Sequence, residues 1–382
     1  MSQVADSIRH NKHALILQWF SIVALIYLLM VAVDLIEAGF KSATGGRAEA
    51  LFAFATNPFL GLIVGIIATA LLQSSSTVTS IMVGLVAGGL PVATAVPMVM
   101  GANIGTTITN TLVSLGHMTD KTEFRKAFAA ATVHDCFNLL GVVIGLPLEI
   151  LFHPLEKMGL FLANALVGSS PISLKDLNGL RIVTKPAVDV FKQATQFSPA
   201  PFNGIWLILL GISLILLTIT VIGKLLKVLM VGRAKDILHT AIGRGAMTGI
   251  LAGMLITVLV QSSSATTSLM VPLAGAGVFD LAQIYPFTLG ANIGTCVTAL
   301  LAATAISGTE AVPALEIATI HLLYNLFGVM IIYGIPSLRQ LPMIGAETLA
   351  ASVSKRQYLA LAYITVVFFL VPGLLLGLTA AL

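Results

Sequence analysis

No lysine or arginine occurs between Arg47 and Lys121, and none between Arg244 and Arg339. Each interval is long enough for several helices, because one membrane crossing takes about 20 predominantly apolar residues. A shorter interval of the same kind runs from Lys126 to Lys157. Only 9% of the 382 residues are charged and 57% are apolar, whereas soluble domains carry roughly 25% charged residues. Mean hydropathy is +1.00. The expected fold class is therefore an all-α multispanning membrane protein, and a soluble enzyme is disfavoured. The first apolar run, 14–36, exceeds a signal-peptide core and lacks a clean cleavage site, so it reads as an uncleaved membrane helix. Cys136 and Cys296 both lie in apolar runs and imply no disulfide framework. The pI near 9.1 reflects basic loops and gives no argument for nucleic acid.

The chain resembles itself. Setting Gln73 on Gln261 aligns Gly61 with Gly249, Gly65 with Gly253 and Thr69 with Thr257. "GANIGTTIT" (101–109) then matches "GANIGTCVT" (290–298), and "HDCFNLLGVV" (134–143) matches "HLLYNLFGVM" (321–330). Three landmarks in one order at nearly constant spacing indicate an internal duplication. The expected organisation is an N-terminal helix and scaffold (1–56), repeat 1 (57–151), an extracellular linker (152–203), a scaffold helix with a cytoplasmic loop (204–242), repeat 2 (243–335) and a C-terminal helix (336–382). Within the linker, 169–203 has prolines and mixed charge and reads as solvent-exposed. The basic connection at 223–244 (Lys224, Lys227, Arg233, Lys235 and Arg244 against Asp236), the 117–126 turn and the N-terminus with Arg9 and Lys12 are expected to be cytoplasmic. Counting crossings then sets the two repeats in opposite orientations. Gly84, Gly88, Gly89, Pro91 and Pro97 interrupt the first, and Pro272, Gly275, Gly277 and Pro286 the second. Broken helices at membrane depth are tolerated where they are buried in protein or line a wet cavity, and matching breaks in two halves point to a transporter site.

Four consecutive hydrogen-bonding side chains, Gln73, Ser74, Ser75 and Ser76, recur as Gln261, Ser262, Ser263 and Ser264. Close helix packing needs small residues, not the same amide followed by three hydroxyls twice, so a ligand site is the better reading. "GANIGT" has a helix-contact Gly-x-x-x-Gly spacing (Gly101/Gly105, Gly290/Gly294), yet Asn103, Thr106, Asn292 and Thr295 exceed what packing requires. A glycine-rich break with amides and hydroxyls would suit an oxyanion. No Gly-Lys-Ser/Thr is present there, so ATP hydrolysis is unsupported. Asp135 is the carboxylate deep in an apolar run of the first half, and Leu322 replaces it in the second. An intramembrane carboxylate costs a few kcal/mol and marks a cation or proton site. His134 and Asn138 share a helix face, as do His321 and Asn325; the histidines read as interhelical hydrogen bonders.

Paired "QSSS", paired "GANIGT" and "VHDCFN" make the chain similar to the type II sodium-dependent phosphate cotransporters, over about 57–151 and 243–335. The resemblance implies two inverted repeats, each with a re-entrant helical hairpin and broken helices, and symport of Na⁺ with divalent inorganic phosphate. It implies phosphate contacts from Gln73–Ser76 and Gln261–Ser264, and Na⁺ ligation by Gln73, Thr111, Asp120, Asp135, Asn138, Gln261, Thr298 and Asn325. His117 stands at a sodium-site position where animal relatives carry glutamine, and Ala291 where they carry serine. Ala129, Ala131 and Asp135 fit the electrogenic form of the family pattern. No cofactor beyond the coupling ion is implied. Expected partners are phosphate, Na⁺ and the lipid bilayer of the plasma (inner) membrane, with the N-terminus cytoplasmic. The sequence leaves a homodimer open.

Phosphate at neutral pH carries more than one negative charge, and neither repeat core holds a lysine or arginine. Cations bound beside the anion would supply the missing charge, because either ion alone is left uncompensated in low dielectric. Another oxyanion or a dicarboxylate would fit a Ser/Thr/Asn site too. An ion channel, or an intramembrane enzyme with a paired nucleophile and base, fits the repeated motifs less well.

Overall fold

The computed structural model describes residues 2–45, 57–169, 174–242 and 244–381. The segments 46–56 and 170–173 lie outside the described residues, as do the side chains of Arg9, Lys12, Lys224, Lys227, Arg233, Lys235 and Asp236. The described residues contain helices and no strand. Seven helical stretches among them are long and apolar enough to cross a membrane: Phe20–Thr44, Val92–His117, Lys121–Phe152, Phe202–Ile222, Leu281–Ala305, Gly308–Tyr333 and Tyr358–Leu375.

Helix α1 (Ser2–Thr44) lies against α9 (Phe202–Ala241). They meet where Gly39 and Gly204 leave no room for a Cβ, each facing the other's carbonyl oxygen. The first half continues with α2 (Pro58–Leu72), α3 (Ser75–Ala87), α4 (Val92–Gly105) and α5 (Ile108–Ser114). The long α6 (Lys121–Phe152), α7 (Pro154–Ser169) and α8 (Leu174–Ala194) follow. The second half runs α10 (Ala246–Val260), α11 (Ser263–Ser268), α12 (Met270–Gly275), α13 (Leu281–Ala305) and α14 (Ala311–Gly328). A π-turn at Val329–Tyr333 leads to α15 (Pro336–Lys355), α16 (Tyr358–Thr365) and, after a second π-turn, α17 (Val371–Ala381).

The halves use the same contacts. Helix α2 packs on α4 as α10 packs on α13, and α6 packs on α15 as α14 packs on α7. A Cβ on Gly65 or Gly101 would collide with the carbonyl of Met98 or Leu62, and one on Gly253 or Gly290 with that of Phe287 or Ile250. The "GANIGT" glycines therefore serve helix approach. The two copies differ from each other: α13 runs unbroken through Gly290–Thr295, whereas α4 ends at Gly105 and a turn at Thr106–Thr107 separates it from α5. The amides of Gly290–Thr295 belong to a helix and are not free to cradle an anion.

The base of the α2–α3 hairpin, at Pro58 and Pro91, shares a cavity of about 410 Å³ with Glu149 and His153 at the C-terminal end of α6. The base of the α10–α12 hairpin sits at the other end: Gly275 faces His117 and Glu123, and Gly277 faces Lys126. The two hairpin bases thus lie at opposite ends of one helix.

Three stretches differ from expectation. The 169–203 stretch contains α8, whose Val188 packs with Val31 and Leu35 of α1 and Leu207 of α9; an apolar stripe outweighs its prolines and charge. The 204–242 segment is one helix, α9, with no loop. The C-terminal segment holds two helical stretches, divided near Arg356.

Candidate functional site

Both hairpins break at glutamine. Gln73 (φ 54°, ψ 25°) and Gln261 (φ 55°, ψ 28°) take the left-handed conformation, which a side chain with a Cβ adopts at a cost of about 1–2 kcal/mol. Each amide secures its break from both sides. Gln73 Nε2 donates to the Ala70 carbonyl (2.6 Å) and Oε1 accepts from Thr109 Oγ1 (2.7 Å). Gln261 Nε2 donates to the Val258 carbonyl (2.7 Å) and Oε1 accepts from Thr298 Oγ1 (2.9 Å). The next residue caps the following helix: Ser74 Oγ accepts from the Thr77 amide (3.2 Å), and Ser262 Oγ from that of Ala265 (3.1 Å). A serine N-cap satisfies one of the orphan donors of a helix start.

The two tips meet. Gln73, Ser74, Thr77, Gln261, Ser262 and Ala265 line one cavity of about 290 Å³ together with Leu216, Ile219 and Thr220 of α9, with no charged side chain in its wall. Ser75, Ser76, Ser263 and Ser264 are buried behind the tips. Ser264 Oγ donates to the Thr106 carbonyl at 3.4 Å. Thr267 and Ser268 donate to Asn110 Oδ1 (3.0 and 2.9 Å), so the second hairpin leans on the α4–α5 junction of the first half.

Beneath the tips, buried amides join the halves. Asn103 Nδ2 donates to Asn325 Oδ1 (2.9 Å), and Asn292 Nδ2 to Asn138 Oδ1 (2.9 Å). His134 Nε2 lies 2.6 Å from Asn292 Oδ1, and His321 Nε2 3.3 Å from Asn103 Oδ1. Asn138 Nδ2 also donates to the Asn103 carbonyl at 2.7 Å. Each histidine thus lies within hydrogen-bond distance of an asparagine on another helix. Thr106 and Thr295 bond back to Ala102 and Ala291 within their own helices.

Asp135 is 1% exposed. Its Oδ2 accepts from Tyr363 Oη at 2.9 Å, Oδ1 has no partner of good hydrogen-bond geometry, and the Thr107 side chain lies close to the carboxyl. Thr111 bonds to the Thr107 carbonyl (3.4 Å), which puts it on the helical turn next to that carboxyl. Asp120 stands apart: fifteen residues of α6 separate it from Asp135, about 22 Å of helix. It is the exposed N-cap of α6, and the amides of Glu123 and Thr122 hold its carboxyl below the usual carboxylate range. The Asp-x-x-Glu spacing at 120–123 is itself a helix-start signal. His117 pairs loosely with Glu123 at 3.5 Å.

The same family model, Na⁺/Pi-cotransporter, matches the chain twice, over 28–166 and over 214–353. The chain belongs to this family. It is 34% identical to sodium-dependent phosphate transport protein 2A of Rattus norvegicus, over 93% of this chain and 67% of that protein. It is 32% identical to sodium-dependent phosphate transport protein 2B of Homo sapiens, over 93% of this chain and 64% of that one. No solved structure matches it. A Na⁺/Pi cotransporter is a transporter and not an enzyme.

Two residues escaped the sequence reading. Thr109 is the counterpart of Thr298, the ninth residue of each "GANIGT" match, and lining up the two copies would have found it. Tyr363 bonds to Asp135 from 228 residues away, outside either repeat, and no local pattern marks it.

Proposed function

We propose that this chain carries inorganic phosphate together with Na⁺ through the space between the two hairpin tips, by alternating access. The carrying observation is that both Gln-Ser tips, broken in the same way, line one uncharged cavity. Hydroxyls and the N-terminus of α3 favour an anion, and the carbonyl ends of α2 and α10 favour a cation. Two unit charges 4 Å apart at an effective dielectric near 20 interact by about 4 kcal/mol. A divalent anion without a fixed counter-charge needs a contribution of that order, and co-bound Na⁺ supplies it. Gln73, Thr109, Gln261 and Thr298 offer oxygen at the tips. Asp135, with one unpartnered oxygen, offers a further cation position; its occupation would make the cycle electrogenic.

Orientation follows from charge. Arg125 and Lys126 line a cavity of about 440 Å³ at the base of the second hairpin. Arg244 precedes α10 at that end, and Lys355 and Arg356 adjoin Gln357, which bonds to the Met118 carbonyl. Lys/Arg-rich ends are cytoplasmic, so the first hairpin opens outward, the second inward, and the repeats are inverted. Exposed Phe20, Val143, Phe161 and Leu209 suit contact with the lipid of the plasma membrane.

Proteoliposomes loaded without sodium test this. An inward Na⁺ gradient should drive saturable ³²P-phosphate uptake. Ser75→Ala or Ser263→Ala should cut it about tenfold or more, since a hydrogen bond to a charged group contributes about 1.5–3 kcal/mol. Uptake that runs equally well on potassium would refute coupling. Stronger competition by sulfate or succinate than by arsenate would shift the substrate to another oxyanion or a dicarboxylate.

A further inference from the structure

The C-terminal stretch "YLALAYITVVFFL" (358–370) lies outside both repeats, yet the hydroxyl of its Tyr363 reaches the buried Asp135 of the first one. Two contacts fix the phenol ring. It packs edge-on against Phe128 of α6 (centroids 6.1 Å apart, planes at 69°) and against Phe368 (6.1 Å, 86°). Phe128 stands seven residues before Asp135, two helical turns away on the same face of α6. Phe368 follows Tyr363 by five residues, a spacing that regular α-helix would set about 140° apart around the axis. The π-turn at Val366–Leu370, where the Val371 amide donates to the Val366 carbonyl, brings the two rings together.

A ring that only filled this space would need no hydroxyl. The O–H donates to Asp135 Oδ2 at 2.9 Å, and no lysine or arginine lies on α16 or on α6 beyond Lys126. The other oxygen, Oδ1, is buried without a partner of good geometry. Thr107, close to the carboxyl, gives its single hydroxyl proton to the Ile104 carbonyl at 2.8 Å, so it meets Asp135 as an acceptor. A carboxylate at membrane depth with one oxygen held and the other open is suited to a cation.

We propose that Tyr363 is a positioning residue for the coupling cation: by holding Oδ2 it fixes the plane of the Asp135 carboxylate and leaves Oδ1 to ligate Na⁺. This rests on the reading of Asp135 as a cation position. Partners that hydrogen-bond a ligating carboxylate orient it, and their loss typically weakens metal binding about 10–100-fold. A charge-assisted bond from the phenol also steadies the ionised carboxylate while no cation is bound. Leu322 is the counterpart of Asp135, so the second half calls for no such partner.

Sodium activation of ³²P-phosphate uptake in proteoliposomes tests this. Tyr363→Phe keeps both ring contacts and should raise the half-activating Na⁺ concentration about tenfold while sparing the maximal rate. Asp135→Asn should raise it too, and adding Tyr363→Phe to Asp135→Asn should change nothing further, because both act through one carboxylate. Unchanged sodium activation in Tyr363→Phe would overturn the assignment. So would additive effects in the double variant, or a lower melting temperature and maximal rate at unchanged sodium activation, which mark a packing role. If Asp135→Asn alone leaves sodium activation unaltered, the cation reading of Asp135 fails and this inference falls with it.

Discussion

At the scale of single residues, Gln73 and Gln261 occupy a conformation in which helix C-termini ordinarily place glycine. A strained residue persists only where its surroundings hold it, and such positions cluster at sites that bind or switch. Here the holding groups are visible: a carbonyl of the preceding turn and a threonine from the neighbouring helix, in both halves. Gln73→Gly should therefore relieve backbone strain and keep or raise the melting temperature, while removing the amide and lowering phosphate uptake about tenfold. A uniform loss of both stability and uptake would mean that the amide is merely structural. The sequence displayed the repeated Gln-Ser-Ser-Ser, and with it the tips. It could not display the left-handed turn, because glutamine is no marker for one. Asp120 shows the opposite difficulty: a family position suggested a cation ligand, while the local Asp-x-x-Glu spacing described the cap that the structure contains.

Among the elements, the helix pairs α2/α4 and α10/α13 are built on glycine. Small residues let backbones approach where lipid offers no hydrophobic drive between helices. Gly253→Ala would push a methyl group into the Phe287 carbonyl, and overpacking of this kind costs about 1–3 kcal/mol or more. The variant should show a clear loss of thermal stability in detergent. Gly373→Ala, in open space on α17, should be neutral or stabilising by up to about 1 kcal/mol. Equal melting temperatures for the two variants would contradict this account of the contact. The glycine periodicity of these helices was legible from the two aligned copies, whereas which helix each packs against was not. Nor was helix α8, because prolines and charge dominate 169–203 and its apolar stripe gains meaning only against α1. The divided C-terminal stretch escaped as well, since its joint near Arg356 carries no glycine or proline.

For the whole molecule, the arrangement of two hairpin bases at opposite ends of α6 makes a prediction about sidedness. In a background with Cys136 and Cys296 replaced by serine, Ala93→Cys should react with a membrane-impermeant thiol reagent added outside intact cells. Val278→Cys, 53% exposed at the other base, should react only after the cytoplasmic face is opened. Labelling of both from one side would overturn the inverted arrangement. The recurrence of three landmarks in one order was plain in the sequence. The junction between halves was not, since which asparagine meets which histidine depends on a packing that no spacing encodes. The near-equality of the two tips has a thermodynamic meaning. If the proposed outward-open and inward-open states are built from almost interchangeable parts, the empty protein has little preference between them and divides nearly evenly, while the direction of net flux is set by the combined gradients of the carried ions. Asp135, answered by Leu322 in the other half, is a departure from that balance, and an unequal population of the two states would originate in such a departure.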